Sequence, residues 1–360
     1  DDSALYRRLL SEALTSDPGI EIAGTASSGK IALARIPQIN PDVVTLDVEM
    51  PEMDGLETLS AIRALYPKLP VIMFSSLTER AAPATVDALL RGATDYAVKP
   101  SSGDGMARVR EELVPKILKL GQKTATAAAA PATRAARSSV SPPARITLAP
   151  SRRPPRRVDV LAIGISTGGP NALAELFKEL PGDLGVPVLI VQHMPAQFTG
   201  PLAGRLSSLS DLSVHEAVGG EAVAPGHVYI APGNYHLTVY SENRVPRLRL
   251  DQNEPENSCR PAVDPLFRSV SEVYGAGALA LVMTGMGQDG LRGIEHISEC
   301  GGVVWAQDEA SSVVWGMPGF VARSGLAQAV IPLDRLAFEL TRHIREGRDT
   351  RGASSRPEIR

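Results

Sequence analysis

Cysteine is scarce in this chain: 360 residues carry two, Cys259 and Cys300. Two thiols cannot build a disulfide framework, and their rarity fits a reducing compartment. No apolar run approaches the roughly 20 residues a membrane-spanning helix requires, and no signal peptide is expected, although the sequence opens at Asp1 without Met. A cytoplasmic protein without membrane insertion is the expectation. Charge of one sign is missing as well. The net charge is -3, too small to draw the whole chain to nucleic acid or an anionic surface. Acidic residues are absent between Lys123 and Val158, where Ala, Pro, Ser and Arg dominate. Such a segment cannot bury enough apolar surface to offset its chain entropy. It reads as a semi-flexible linker over 122–157.

The linker separates two patterned regions. Before it, strand-like runs at Ile20–Ala26, Val43–Val48, Val71–Ser75 and Asp95–Val98 alternate with helical stretches near Gly29–Ile39, Gly55–Leu65, Glu79–Arg91 and Asp104–Leu120. After it, strands are expected at Val158–Gly164, Val186–Gln192, His227–Ala231, Ala278–Thr284 and Gly302–Ala306. Helices are expected at Asn171–Leu180, Phe198–Ser208, Asp264–Tyr274 and Gly290–Cys300, and a hairpin within Leu237–Leu250. The alternation predicts two α/β domains, each a doubly wound parallel sheet, over 1–121 and 158–344. A polar tail is expected over 345–360.

In open α/β sheets, ligands meet the carboxyl ends of the strands. In the first region those ends collect Asp47, Ser75 and Lys99, and Asp1-Asp2 opens the chain. Clustered carboxylates suit a hard cation such as Mg²⁺. A lysine can pair with a phosphoryl oxygen, and a carboxylate can accept a phosphoryl group. The stretches "DDSALYRRLL", "LDVEMPEMDG" (46–55), "FSSLT" (74–78) and "YAVKP" (96–100), in this order, resemble the receiver domain of two-component response regulators. The resemblance implies a flavodoxin-like fold with strand order 2-1-3-4-5 and phosphorylation of Asp47 by a histidine kinase. It implies Mg²⁺ among Asp1, Asp2, Asp47 and the Glu49 carbonyl. Ser75 and Lys99 would sense the phosphate, and Tyr96 would report it. Members carry an apolar strand just before the acidic pair. This sequence starts at the acids, so truncation of that strand is expected.

The second region poses a question in "VLAIGISTGGP", 160–170. Ser166 follows an apolar strand and precedes two glycines and a helix. Taken alone it reads first as a helix cap, since serine is a preferred cap, and it also suits a nucleophile beside backbone N–H groups at a helix start. A serine nucleophile needs a base and an orienting acid. Of six histidines, His193 ends the run "VPVLIVQH", which is expected to pair beside the Ser166 strand. His215, His227, His236, His296 and His343 lack that placement. Asp289 follows a third apolar strand in "ALALVMTGMGQDG", with Asp308 the alternative. Three strand ends thus bring together a hydroxyl, an imidazole and a carboxylate, the set required for acyl transfer. The order Ser, His, acid differs from the Ser, acid, His order of α/β-hydrolases, although Gly164 to Gly168 match G-x-S-x-G. A phosphate-binding P-loop is excluded, since no Lys-Ser/Thr follows the glycines.

The stretches "GISTGGP", "VQHMPAQFT" (191–199), "GHVYIAPG" (226–233), "RPAVDPLFRS" (260–269), "MTGMGQDG" (283–290) and "GMPG" (316–319) resemble the catalytic domain of the chemotaxis protein-glutamate methylesterases. The resemblance implies a Rossmann-like catalytic domain. It implies hydrolysis of glutamate γ-methyl esters, and deamidation of glutamines, on chemoreceptor cytoplasmic helices. No cofactor is expected for that reaction. Oxyanion or substrate contacts are expected at Thr167, Gly168, Gly169, Met286 and Gly287. The unphosphorylated receiver is expected to cover the Ser166 cleft. The segment "ENSC" (256–259) departs from the common pattern of these enzymes. A receptor-docking module without catalysis would not need the three reactive residues, and no helix-turn-helix pattern supports DNA output. A monomer is expected.

Overall fold

The computed structural model describes residues 1–76, 78, 81–100, 105–128 and 157–352. These fall into two compact units, one on either side of 129–156. The first contains α1 (Ala4–Leu14), α2 (Gly29–Ile39), β1 (Val44–Asp47), α3 (Gly55–Leu65), β2 (Val71–Ser75), α4 (Ala81–Leu90), β3 (Asp95–Val98) and α5 (Gly105–Ala128). Its sheet is parallel in the order β1-β2-β3. Every residue of β2 is buried, which is why it reads as an unbroken apolar run rather than an alternating one.

The run Ile20–Ala26, predicted as a strand, forms no ladder. A strand holds only when its N–H and C=O groups find a neighbour. Among the described residues no strand pairs with this run. Helix α5 extends seven residues past the predicted linker start at 122, through Lys and Ala, which are good helix formers. Residues 129–156 of the linker lie outside the described residues.

The second unit contains β4 (Val160–Ile165), α6 (Gly169–Glu179), β5 (Val188–Gln192), α7 (Ala196–Leu209), β6 (Ser213–Glu216), β7 (His227–Ile230), β8 (His236–Glu242), β9 (Val245–Asp251) and α8 (Val263–Tyr274). It continues with β10 (Ala278–Val282), α9 (Leu291–Glu299), β11 (Val303–Gln307), α10 (Met317–Arg323), β12 (Ala329–Ile331) and α11 (Leu333–Gly352). Seven strands form one parallel sheet in the order β12-β11-β10-β4-β5-β7-β6. The predicted hairpin is β8 with β9, antiparallel. Strands β6 and β12 and helix α10 join the predicted set.

Helix α11 runs on to Gly352, so the predicted polar tail begins as helix. Ion pairs along it hold it: Arg335–Glu339 at 2.7 Å, Arg342–Glu339 at 2.6 Å and Arg342–Glu346 at 3.0 Å. Exposed pairs of this spacing each add only a few tenths of a kcal/mol, about 0.3–0.5, but three in succession favour one helix. Residues 353–360 lie outside the described residues.

The chain enters the large sheet at its middle. From β4 it builds outward through β5 to β7 and β6, then returns to the other side as β10, β11 and β12. The reversal falls between β4 and β10, and such switch points open a crevice at the carboxyl ends of the strands. Ser166, His193 and Asp289 all lie just past those ends.

A candidate active site at the sheet switch point

Strand β4 is buried along its whole length, and three residues, Ser166 to Gly168, connect it to α6. The cap of α6 is Gly168, at φ +78°, with no side-chain cap bond. Ser166 is therefore not the helix cap, and its hydroxyl is left for other use. A Cβ at Gly168 would adopt a left-handed conformation and would also lie 2.6 Å from Val313, so only glycine fits. Opposite, a Cβ on Gly285 would come within 2.8 Å of Ser166 Cβ. The backbone of the β10 loop thus approaches the serine directly. The Ser166 N–H donates to the Thr284 carbonyl at 2.9 Å.

Register fixes the next residue. Ile165 pairs with Gln192 across β4 and β5, and His193 N–H donates to the Ile165 carbonyl at 3.1 Å. Ser166 and His193 therefore leave adjacent strands at the same height, and adjacent strands are about 4.8 Å apart. His193 Nε2 lies 2.8 Å from Asp289 Oδ2. Nδ1 is the ring nitrogen that Asp289 does not hold, and the Cys259 side chain also bonds the ring. Among the described residues the Ser166 hydroxyl bonds no partner. Catalytic contacts of this kind commonly close only when substrate binds.

Asp289 was predicted either to start helix α9 or to orient the histidine. The cap of α9 is Gly290. The Asp289 carboxylate instead accepts from the N-terminus of α8: Val263 N–H to Oδ2 at 2.6 Å and Asp264 N–H to Oδ1 at 3.1 Å. Gly290 N–H adds a third bond, to Oδ1, at 2.9 Å. The donors and dipole of a helix start stabilise a buried anion. The neighbouring charge and these donors hold the Asp289 carboxyl below its ordinary range against the opposing effect of burial. Burial also disfavours the His193 cation, but Asp289 and Cys259 outweigh it and push its pKa up to about 10. Asp308, the alternative acid, accepts from Ser311 N–H and hydroxyl and serves a local turn.

The predicted oxyanion residues divide. Gly169 N–H donates to the Ser166 carbonyl at 2.8 Å and is not available to an oxyanion, which corrects that expectation. A tight turn at the serine consumes it, and its missing side chain makes room for Gln192, whose Oε1 would lie 1.9 Å from a Cβ. The N–H groups of Gly168, Met286 and Gly287 bond no partner among the described residues. Thr167 is buried, and its carbonyl accepts from the Thr284 hydroxyl at 2.9 Å.

Two braces went unread in the sequence. Gln192, 1% exposed, donates through Nε2 to the carbonyls of Ser166 at 3.1 Å and His193 at 3.2 Å. One amide thus ties the serine turn to the histidine turn. Buried Gln307 accepts from Thr284 N–H at 2.9 Å and holds the β10 loop. The available signal was a polar residue closing an otherwise apolar buried strand.

In the first unit, carboxylate oxygens of Asp1, Asp2 and Asp47 lie within 4.8 Å of one another. Lys99 Nζ contacts Asp47 at 2.5 Å and Asp1 at 3.2 Å. Glu49 N–H donates to Asp47 Oδ1 at 3.2 Å. Asp1 Oδ2 is buried and accepts no hydrogen bond. Three carboxylates against one ammonium leave a negative excess, so the group fits a hard divalent cation. Ser75 is buried, and its hydroxyl accepts from that of Thr85 at 2.7 Å. Tyr96 is buried, and burial, with Asp95 and Glu112, drives its phenol well upward.

No described helix is long and apolar enough to cross a membrane. Residues 161–340 match the CheB methylesterase family, and residues 1–110 match the response regulator receiver domain. A protein-glutamate methylesterase/protein-glutamine glutaminase of Trichodesmium erythraeum is 48% identical over 96% of this chain and 97% of its own length. A protein of the same description from a Nocardioides species is 49% identical over 96% of this chain and 94% of its own. The crystal structure of the Thermotoga maritima CheB methylesterase catalytic domain is 41% identical. It covers 51% of this chain and 98% of that one, with a TM-score of 0.51. With both units matched in order and relatives alike over nearly their full length, the chain belongs to the CheB methylesterase family, response regulators whose receiver domain precedes a methylesterase domain.

Proposed function

We propose that this chain hydrolyses glutamate γ-methyl esters, and the amides of glutamines, on chemoreceptor cytoplasmic helices, through a Ser166-His193-Asp289 triad in the unit 158–344. The observation that carries the reading is the 2.8 Å contact of His193 with a buried, helix-anchored Asp289, one strand from Ser166. Ser166 attacks the γ-carbonyl while His193 Nδ1 takes its proton. The same proton then goes to the departing methanol or ammonia. Asp289 steadies the imidazolium formed in between. The N–H groups of Gly168, Met286 and Gly287 are the candidates for the oxyanion. Water, activated by the same ring, releases glutamate. Ester and amide pass through one acyl-enzyme, so one site serves both.

The receiver unit supplies control. Asp47 accepts a phosphoryl group from a histidine kinase. Mg²⁺ held by Asp1, Asp2, Asp47 and the Glu49 carbonyl would screen the phosphoryl oxygens. Lys99 pairs with the incoming charge, and Ser75 reports it by leaving Thr85. Methanol release from methylated receptor membranes tests both parts. It should rise with acetyl phosphate, and Asp47→Asn should abolish the rise while leaving basal release intact. An undiminished rise in that variant would refute the phosphorylation site.

The raised His193 pKa gives a second expectation. Only the neutral ring can accept the serine proton, so turnover should climb with pH toward about 10 and level off there. A kcat profile from about pH 6 to about pH 10 checks this; a plateau reached near neutrality contradicts it. The stability effect runs the other way. The ring binds its proton more tightly folded than unfolded, so its pairing stabilises the fold fully below the ordinary value of 6.5 and fades as pH rises toward about 10.

A further inference from the structure

The segment "ENSC" forms a tight turn over the triad. Glu256 and Cys259 exchange backbone hydrogen bonds at 2.8 and 3.2 Å. Glu256 pairs with Arg268 of α8 at 2.5 Å. At the tip, Asn257 has φ +52°, a left-handed conformation that asparagine tolerates better than most residues. Its Nδ2 donates to Asp289 Oδ1 at 2.8 Å and to Asp264 Oδ2 at 2.9 Å. Both carboxylates are 2% exposed. The amide orientation follows from chemistry, because a carbonyl oxygen in that place would face two anions.

We propose that Asn257 is a positioning residue of the hydrolase site: its amide nitrogen spends one hydrogen on each of two buried carboxylates, so that Asp289 stays ionised beside Asp264 and keeps its charge for His193. The inference rests on the triad reading above. Few side chains can do this. A hydroxyl has one hydrogen to give, and a carboxylate has none when ionised. Asp264 is committed elsewhere, since its Oδ1 accepts from Gly293 N–H at 2.7 Å and joins α8 to α9.

Like charges sharing a buried site take up a proton unless donors hold both ionised. Burial, and then the Asp289 charge, already push the Asp264 carboxyl upward, against Gly293 N–H, Asn257 and Arg268. The charged groups facing the pair are His193 from the end of β5, Arg268 one turn along α8, and Glu256 acting through Arg268. Cys259 stands beside the His193 ring. Without Asn257 the carboxylate pair would hold a proton at higher pH, and Asp289 would offer the imidazolium less charge.

The test uses the full chain with acetyl phosphate. Asn257→Gly accepts the left-handed backbone but has no donor. Asn257→Asp keeps the side-chain shape, tolerates the same backbone and loses the donor, so it serves should glycine loosen the turn. Both should lower kcat about 10-fold or more, the effect of losing a hydrogen bond to a charged group, with KM nearly unchanged. The break of the kcat profile set by His193 should move down by about one pH unit, because an Asp289 that shares a proton with Asp264 stabilises the imidazolium less. Carbon-13 titration of the aspartate carboxyls should show the pair protonating at higher pH. Parent-like kcat and break in both variants would overturn the proposal. So would a loss of kcat with the break unmoved, which marks a merely structural role. Ser166→Ala run alongside separates the two levels. If it keeps turnover, the triad reading fails; if it loses turnover while the Asn257 variants match the parent, only the role of Asn257 fails.

Discussion

Ser166→Ala should release methanol from methylated receptor helices more slowly by a factor on the order of 10⁶, the scale seen when a triad nucleophile is removed. The change deletes one oxygen at a half-buried position and leaves the turn intact. The Ser166 N–H still bonds Thr284, and its carbonyl still accepts from Gly169 and Gln192. Fold and receptor binding should therefore survive, and the loss should fall on kcat. The Gly168, Met286 and Gly287 N–H groups remain in place, so a small residual rate above the uncatalysed one is expected. Steady-state kinetics with circular dichroism as a fold control checks this. Turnover within about 10-fold of the parent would mean that another group attacks the carbonyl.

Asp289→Asn should cost about 10⁴-fold in kcat, by a different route. Asp289 accepts from three backbone N–H groups, from Asn257 and from His193. It donates nothing. An asparagine of the same shape must aim its NH₂ at one of those donors or at the imidazole. Toward the ring it offers a hydrogen to Nε2, which moves the ring proton to Nδ1. That is the nitrogen Ser166 needs as acceptor, so the imidazole is held in the wrong tautomer. His193 also loses the charge that raises its pKa. The pH profile of the variant should lose its alkaline rise, and imidazole NMR should show the ring giving up its proton at lower pH. A variant with near-parent kcat would remove Asp289 from the mechanism.

How much of this could be read from residues alone follows from what each residue does locally. Ser166 and His193 follow directly on runs that are apolar because a parallel strand is buried on both faces, and Asp289 follows a third such run across a short glycine-rich loop. The abrupt change from apolar to reactive residue marks the strand end, so placement on one rim was legible. What each hydroxyl or carboxylate bonds was not. Asp289 reads equally as the start of α9, and only folding brings it to the N-terminus of α8, whose first residues lie 26 and 25 positions earlier. Asn257 sits in a turn with no period to mark it, and its two partners are 7 and 32 residues away. Gln192 and Gln307 read as strand ends, whereas their amides brace loops from neighbouring strands. The run Ile20–Ala26 shows the opposite failure, since its composition suits a strand but strand formation also needs a neighbour to pair with.

The most direct measurement of the central claim is mass spectrometry of the acyl-enzyme, trapped by acid quench during turnover of a methylated receptor helix. The account requires the glutamyl adduct on the peptide containing Ser166, accumulating in the parent and absent when His193 is replaced by Ala. An adduct on a different residue, or steady methanol release with no covalent intermediate under conditions where deacylation is slowed, would contradict it.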